Sequence, residues 1–185
     1  MKNSTGYDPE HPARLYVDGV FDMTHFGHFR LFEHCKKRFP YVHLIVGVNG
    51  DEDCARLKNK CVLTEQERAE NIRHCRWVDE VVCPGPWFLT NEFLAENQID
   101  FVCHDDAPYS YGDDDLYAHI RKQGKFMATP RTEGISTSMI MTRVFTHSGL
   151  YTRKLLGEIQ PEDELKKQLL HTSDEIGSLW KEVDL

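Results

Sequence analysis

Paired cysteines are missing from this sequence. Its six cysteines, Cys35, Cys54, Cys61, Cys75, Cys83 and Cys103, form no C-x-x-C pair, and the polar stretch from Met1 to Pro12 has no apolar leader core. They read as reduced packing residues of a cytoplasmic or nuclear protein rather than a disulfide framework. No apolar run approaches the roughly 20 residues that a membrane helix needs. Positive charge is also scarce: 22 Lys+Arg stand against 30 Asp+Glu, a net charge of −8. Such a balance argues against a broad nucleic-acid or anionic-membrane surface, but not against a small cationic pocket for a phosphorylated ligand. Both common phosphate loops, G-x-G-x-x-G and G-x-x-x-x-G-K-[ST], are absent.

What is present is alternation. The 185 residues suffice for one domain with a short appendage, and 40% of them are hydrophobic. Short apolar runs at Leu15–Val17, Tyr41–Val48, Val78–Val82, Ile99–Cys103 and Phe126–Ala128 predict strands. Helical patterns lie between them: Gly27–Phe39, a helix from the capping box Thr64-Glu-Gln-Glu67 to about Cys75, Thr90–Asn97, Asp113–Gly124 and Ser136–His147. The run Asp113-Asp-Asp115 resembles a metal cluster, but reads better as the charge of a helix N-terminus. Strands alternating with helices predict an α/β fold, a Rossmann-like doubly wound parallel sheet flanked by helices. The expected organisation is a flexible segment 1–13, a globular domain 14–150 and a helical extension 151–185. Ligands of such sheets bind beyond the carboxyl ends of the strands.

The segment Asp18-Gly-Val-Phe-Asp-Met-Thr-His-Phe-Gly-His28 falls at that edge, between the first strand and the first helix. His25 and His28 stand three apart at a helix start, with Gly27 allowing close approach to the backbone. Two imidazoles beside free N–H groups can hold a triphosphate. Taken alone, the pair also fits surface or core histidines or a weak zinc pair.

Other candidates lie beyond later strands. Lys58, in Leu57-Lys-Asn-Lys60, could swing onto phosphates; it could equally be a solvated lysine, and Lys60 competes for the role. Arg131-Thr-Glu-Gly-Ile-Ser-Thr137 offers a guanidinium fork and a helix start, although Ser-Thr-Ser alone reads as an ordinary cap. His104-Asp105 follows the fourth strand, where a carboxylate can accept from a base amino group or neutralise a cation; Asp106 reads equally as part of that group and as a loop cap. Trp87 and Tyr109 each follow a strand and a proline. They could attract a quaternary ammonium through their ring faces, with Asp18 as an anionic wall, or be core aromatics.

These residues resemble the cytidylyltransferases of the nucleotidyltransferase α/β superfamily. The resemblance rests on Asp18–Asp22 with His25 and His28, Leu44–Val48, Arg76-Trp-Val-Asp-Glu-Val-Val82, Pro86-Trp87, Ile99–Val102, His104–Asp106 with Pro108-Tyr109, and Arg131–Ser138, from about Arg14 to Tyr151. H-x-G-H marks only the superfamily; R-T-E-G-I-S-T points to cytidylyl transfer, and H-D-D-x-P-Y to the choline branch. The family has glycine after the catalytic lysine, where this chain has Asn59, and the chain is about one residue shorter than relatives near Asp113.

The resemblance implies transfer from CTP to phosphocholine, giving CDP-choline and diphosphate for phosphatidylcholine synthesis. It implies catalytic roles for His25, His28, Lys58 and Arg131. It implies CTP contacts by Val20, Phe21, Asp22, His104, Asp105, Tyr109, Thr132, Glu133, Gly134, Ile135, Ser136 and Thr137 besides those four, and phosphocholine contacts by Asp18, Lys58, Trp87 and Tyr109. Mg²⁺ is expected to be held mainly by substrate phosphates, with no protein metal site. A homodimer with Arg76–Asp79 near its interface is implied. Ethanolamine phosphate is the rival substrate, and a non-catalytic nucleotide-binding module the rival class. Large relatives carry a basic membrane helix; here residues 151–185 hold five Lys/Arg against eight Asp/Glu, so membrane binding is not expected.

Overall fold

The computed structural model describes residues 6–106, 110–111, 114–149, 151–152, 154 and 171. Its elements run β1 (Ala13–Gly19), α1 (Phe26–Lys36), β2 (Val42–Asn49), α2 (Asp51–Leu57), α3 (Glu65–Arg73), β3 (Glu80–Gly85), α4 (Asn91–Glu96), β4 (Phe101–Asp105), β5 (Ser110–Tyr111), β6 (Asp114–Asp115), α5 (Ala118–Lys122), β7 (Phe126–Thr129) and α6 (Thr137–Thr146). Five strands form one parallel sheet in the order β3-β2-β1-β4-β7. The order reverses at β1, so the loops after β1 and β4 splay apart and open a crevice at their carboxyl ends. The chain divides into two compact units, Met1–Thr137 and Ser138–Leu185. No helix among the described residues is long and apolar enough to cross a membrane.

The period-2 alternation of the strands builds two apolar layers. One face gathers Leu15, Val17, Leu44, Val46 and Val48 against Phe32 and Ile72 of α1 and α3. The other gathers Tyr16, Ile45 and Val102 against Leu94 and Ile120 of α4 and α5. Tyr16 is fully buried on that second face, and a Cβ at Gly47 would stand 1.8 Å from its hydroxyl oxygen. Glycine at 47 is therefore what lets the tyrosine pack flat under the neighbouring strand.

The capping box is as expected: Thr64 accepts from the Glu67 amide, and the Glu67 carboxylate accepts from Thr64. All six cysteines are free. The first helix closes at Lys36, earlier than the Phe39 expected from Pro40, because a turn bonds Arg38 N–H to the Cys35 carbonyl. The expected Asp113–Gly124 helix is the larger correction. Asp114–Asp115 pair with Ser110–Tyr111 as a small antiparallel hairpin, and α5 begins only at Ala118. Asp115 accepts the Tyr117 N–H at 3.0 Å, and its ion pair with Arg121 (3.3 Å) ties it to the helix side. Asp115 is thus spent on the turn before the helix rather than on its first turn. Most of the C-terminal extension from residue 151 lies outside the described residues, as do Pro108 and Tyr109.

Candidate active site

The two histidines build the start of α1. His25 is the N-cap residue and His28 the third helical position, and together they form a capping box with imidazoles in place of the usual hydroxyl and carboxylate. His25 Nδ1 accepts from the Gly27 N–H at 3.2 Å, and His28 Nδ1 accepts from the His25 N–H at 3.3 Å. The rings stack with centroids 3.8 Å apart. With each Nδ1 engaged as acceptor, a neutral ring carries its proton on Nε2, so both rings offer an Nε2–H. Burial, His25 and the Lys58 ammonium push His28 down to about 3, and burial lowers His25 as well. The pair is therefore neutral near pH 7 and can meet an anion as hydrogen-bond donors rather than as two cations. A Cβ on Gly27 would lie 3.0 Å from the His25 ring and from Ile135, so residue 27 is closely bounded by both the first loop and the Arg131–Thr137 loop.

Asp22 lies just upstream, buried and flanked by Phe21 (φ +53°) and Met23 (φ +46°), both in the left-handed region that bulky side chains avoid. Its carboxylate accepts from the amides of Met23, Val62 and Leu63 at 3.0, 2.7 and 3.0 Å. Asp22, a CTP contact in the family resemblance, thus has its carboxylate occupied by main-chain donors. Lys58 is the C-cap residue of α2 and exposed, and its charge reaches His28. Lys60 is exposed two residues on. Thr137 Oγ1 donates to the Asp22 carbonyl at 3.1 Å, which brings the Arg131–Thr137 loop onto the first loop. Arg131, Glu133 and Gly134 are exposed in that loop, with Thr132, Ile135 and Ser136 half-buried.

A second group sits beyond β1 and β4. Asp18 is buried, and the Tyr117 hydroxyl donates to its carboxylate, 3.0 and 2.9 Å from the two oxygens. Burial holds the Asp18 carboxyl above its ordinary range, with His104 and Tyr117 pulling it back. His104 stacks on Tyr117 at 4.9 Å, and its Nδ1 lies 3.3 Å from Asp105 Oδ1. Asp106 is exposed and pairs with Arg121 at 2.8 Å, so it ties the loop down rather than entering the site. Val20 is half-buried at the mouth of the first loop, and Trp87 is half-buried just past the end of β3, at the same sheet edge.

Two residues escape the motif reading. Arg68 is fully buried and donates to the carbonyls of Leu63, Val20 and Asn49 and to Asp51. It clamps the ends of β1 and β2 to the start of α3. Its spacing from Ile72, one helical turn, placed it on the buried face and was the available signal. Tyr117 completes the Asp18 environment; the mistaken helix over 113–124 hid it.

The cytidylyltransferase-like family model matches residues 16–143, spanning both groups. The chain belongs to this family. Within the family, it is 45% identical over 186 residues to choline-phosphate cytidylyltransferase A of Homo sapiens, covering 97% of this chain and 51% of the human one. Ethanolamine-phosphate cytidylyltransferase of Dictyostelium discoideum is 36% identical over 170 residues, covering 91% and 47%. This cytidylyltransferase-like chain thus spans about half the length of the curated relatives it matches. A lipopolysaccharide core biosynthesis protein from Thermoplasma volcanium superposes with a TM-score of 0.54 at 22% identity, over 65% of this chain and 98% of that one; the likeness is of fold.

Proposed function

We propose that the chain transfers a cytidylyl group from CTP to phosphocholine, releasing diphosphate. The observation that carries this reading is the double-histidine cap of α1. It sets two neutral Nε2–H donors and a helix N-terminus at the crevice of a parallel sheet, with the Lys58 ammonium within electrostatic reach. The acceptor phosphate is already anionic near neutral pH, since its second pKa is near 6. It needs no general base, only in-line placement and donors for the charge that develops on diphosphate. His25, His28, Lys58 and Arg131 fill those roles; the Val20–Asp22 backbone, His104, Asp105 and the Thr132–Thr137 loop border the nucleotide.

Asp18 supports a cationic acceptor. Its buried carboxylate takes a hydroxyl bond from Tyr117, and a bound trimethylammonium would offset the remaining cost of burial. Trp87 would add a ring face worth about 0.5–2 kcal/mol. The curated choline-phosphate enzyme is nearer in sequence than the ethanolamine-phosphate one, 45% against 36% identity, which favours choline. Mg²⁺ would enter with the nucleotide, bound through phosphate oxygens and neutralising their charge. The Asp22 carboxylate, already accepting from amides, would leave the ion to those phosphate oxygens. A homodimer is part of the same reading, with Arg76 and Lys37 stacked on the Trp77 ring near the contact.

Diphosphate release from CTP, measured with phosphocholine, phosphoethanolamine and glycerol phosphate in parallel, tests the proposal. Turnover should be fastest with phosphocholine. Preference for phosphoethanolamine would transfer the assignment to the rival substrate, and no turnover with any acceptor would leave a nucleotide-binding module.

A further inference from the structure

Three separate chain segments carry the candidate catalytic groups: the loop after β1 with the start of α1 (His25, His28), the segment between α2 and α3 (Lys58), and the loop after β7 (Arg131). They meet at Asp22. Its carboxylate bonds the Val62 and Leu63 amides of the second segment at 2.7 and 3.0 Å, and its carbonyl accepts the Thr137 hydroxyl of the third at 3.1 Å. Leu63 is held from both sides, since its carbonyl accepts from Arg68 Nε at 3.2 Å. Between this anchor and the end of α2, residues Lys58, Asn59 and Lys60 are exposed. The anchor therefore fixes one end of the short span on which Lys58 stands.

We propose that Asp22 is a positioning residue that acts through Lys58: its carboxylate sets where the Lys58 segment stands relative to His25 and His28. This rests on the cytidylyl-transfer reading above. A bare carboxylate beside a triphosphate would repel it, whereas one accepting three amide N–H bonds has its charge taken up by the main chain. The left-handed backbone at Phe21 and Met23 agrees with this, because such strain persists only where surrounding bonds over-determine it. The chain bends sharply on either side of Asp22 so that one side chain can face a segment 40 residues away in sequence.

The test is a double-mutant cycle on the full chain. Asp22→Asn should lower kcat by roughly 10²-fold, the cost of about an ångström of misplacement, with the KM for CTP changing less than about threefold. In a Lys58→Ala background the same change should add less than about threefold, because the group it positions is gone. Val62→Pro, which removes the N–H at the far end of the 2.7 Å bond, should reproduce the kcat loss without touching Asp22. Hydrogen exchange supplies a readout independent of turnover. In Asp22→Asn the Val62 and Leu63 amides should exchange at least about tenfold faster, with Val17 and Leu44 unchanged. Multiplicative losses in the double variant, a loss confined to the KM for CTP, or unaltered exchange at Val62 and Leu63 would each overturn the proposal. A chain inert toward CTP would sink the reaction reading while the exchange experiment still decided the tether.

Discussion

The histidine pair and Asp18 lie on the loop and strand of one β–α unit, yet burial acts on them in opposite senses. It drives His28 down to about 3 and pushes Asp18 above its ordinary range. Both groups are moved toward neutrality, since burial penalises whichever form is charged. The difference lies in what each can regain. The imidazoles, with Nδ1 engaged by main-chain amides, stay useful when neutral because Nε2–H still donates to an anion. The carboxylate is useful to a cation only when charged, so its ligand must supply the compensation. On the proposed function, one half of the crevice is prepared before substrate arrives and the other would be completed by it.

Removing the prepared half should have the largest effect. His28→Asn keeps an acceptor near the Nδ1 position for the His25 amide but deletes Nε2–H. It is expected to lower kcat by 10²–10³-fold, in line with about 3–4 kcal/mol for a charge-stabilising donor. His28→Ala loses the cap as well, and should melt below His28→Asn by an amount corresponding to about 1 kcal/mol. Activity assays with thermal melts separate the two roles. Equal melting of the two variants would remove the capping role of Nδ1, and wild-type activity in His28→Asn would remove the donor role of Nε2–H.

Next comes the half that substrate completes. Asp18→Asn should raise the KM for phosphocholine by roughly 10-fold or more, consistent with 1.5–3 kcal/mol for a bond to a charged group, and leave the KM for CTP nearly unchanged. The pH dependence follows from the raised pKa. As pH falls toward it, protonation competes with the cation, so the wild-type KM for phosphocholine rises at acid pH. The Asp18→Asn profile should keep only the shallower rise caused by protonation of the acceptor's own phosphate, whose second pKa is near 6. Parallel profiles would remove Asp18 from the cation site.

Trp87→Ala is expected to be milder, with kcat/KM for phosphocholine falling by about 2–30-fold and that for phosphoethanolamine falling less. An ammonium can still donate N–H bonds; a trimethylammonium depends on ring faces. Equal losses on both substrates would make Trp87 a packing residue.

How much of this was legible follows the same division. The sheet, the helix start at His25 and the capping box at Thr64 were readable because local pattern and tertiary packing agree there: period-2 runs, an N-cap, a glycine. Tyr117 and Arg68 were not. Tyr117 precedes the helix and reaches Asp18, while Asp114–Asp115 pair as a short strand where the pattern of 113–124 reads as helix. Arg68 is a charge in a polar helix, and such residues usually face water; it is buried where the carbonyls of Val20 and Asn49, beyond β1 and at the end of β2, and of Leu63, just before its own helix, converge on it. Asp22 was legible as part of the motif; that long-range amides take up its side chain was not. What sequence conceals is the long-range satisfaction of polar groups, which periodicity does not encode.

The smallest expected effect concerns stability. The unfolded chain protonates a histidine near 6.5, whereas folded His28 resists protonation down to about 3. Between those values the unfolded state binds more protons, so this group contributes stability that is complete above pH 6.5 and declines as pH falls. The limit is about 1.4 kcal/mol per pH unit for one fully shifted group, less where solvent reaches the ring. Denaturant melts of wild type and His28→Asn between pH 7.5 and pH 5 isolate the contribution, because every other titrating group is common to both. Wild-type stability relative to the variant should shrink as the solution is acidified. A constant gap would mean that His28 is protonated as readily in the folded chain as in the unfolded one, and the neutral-donor account of the helix start would fail with it.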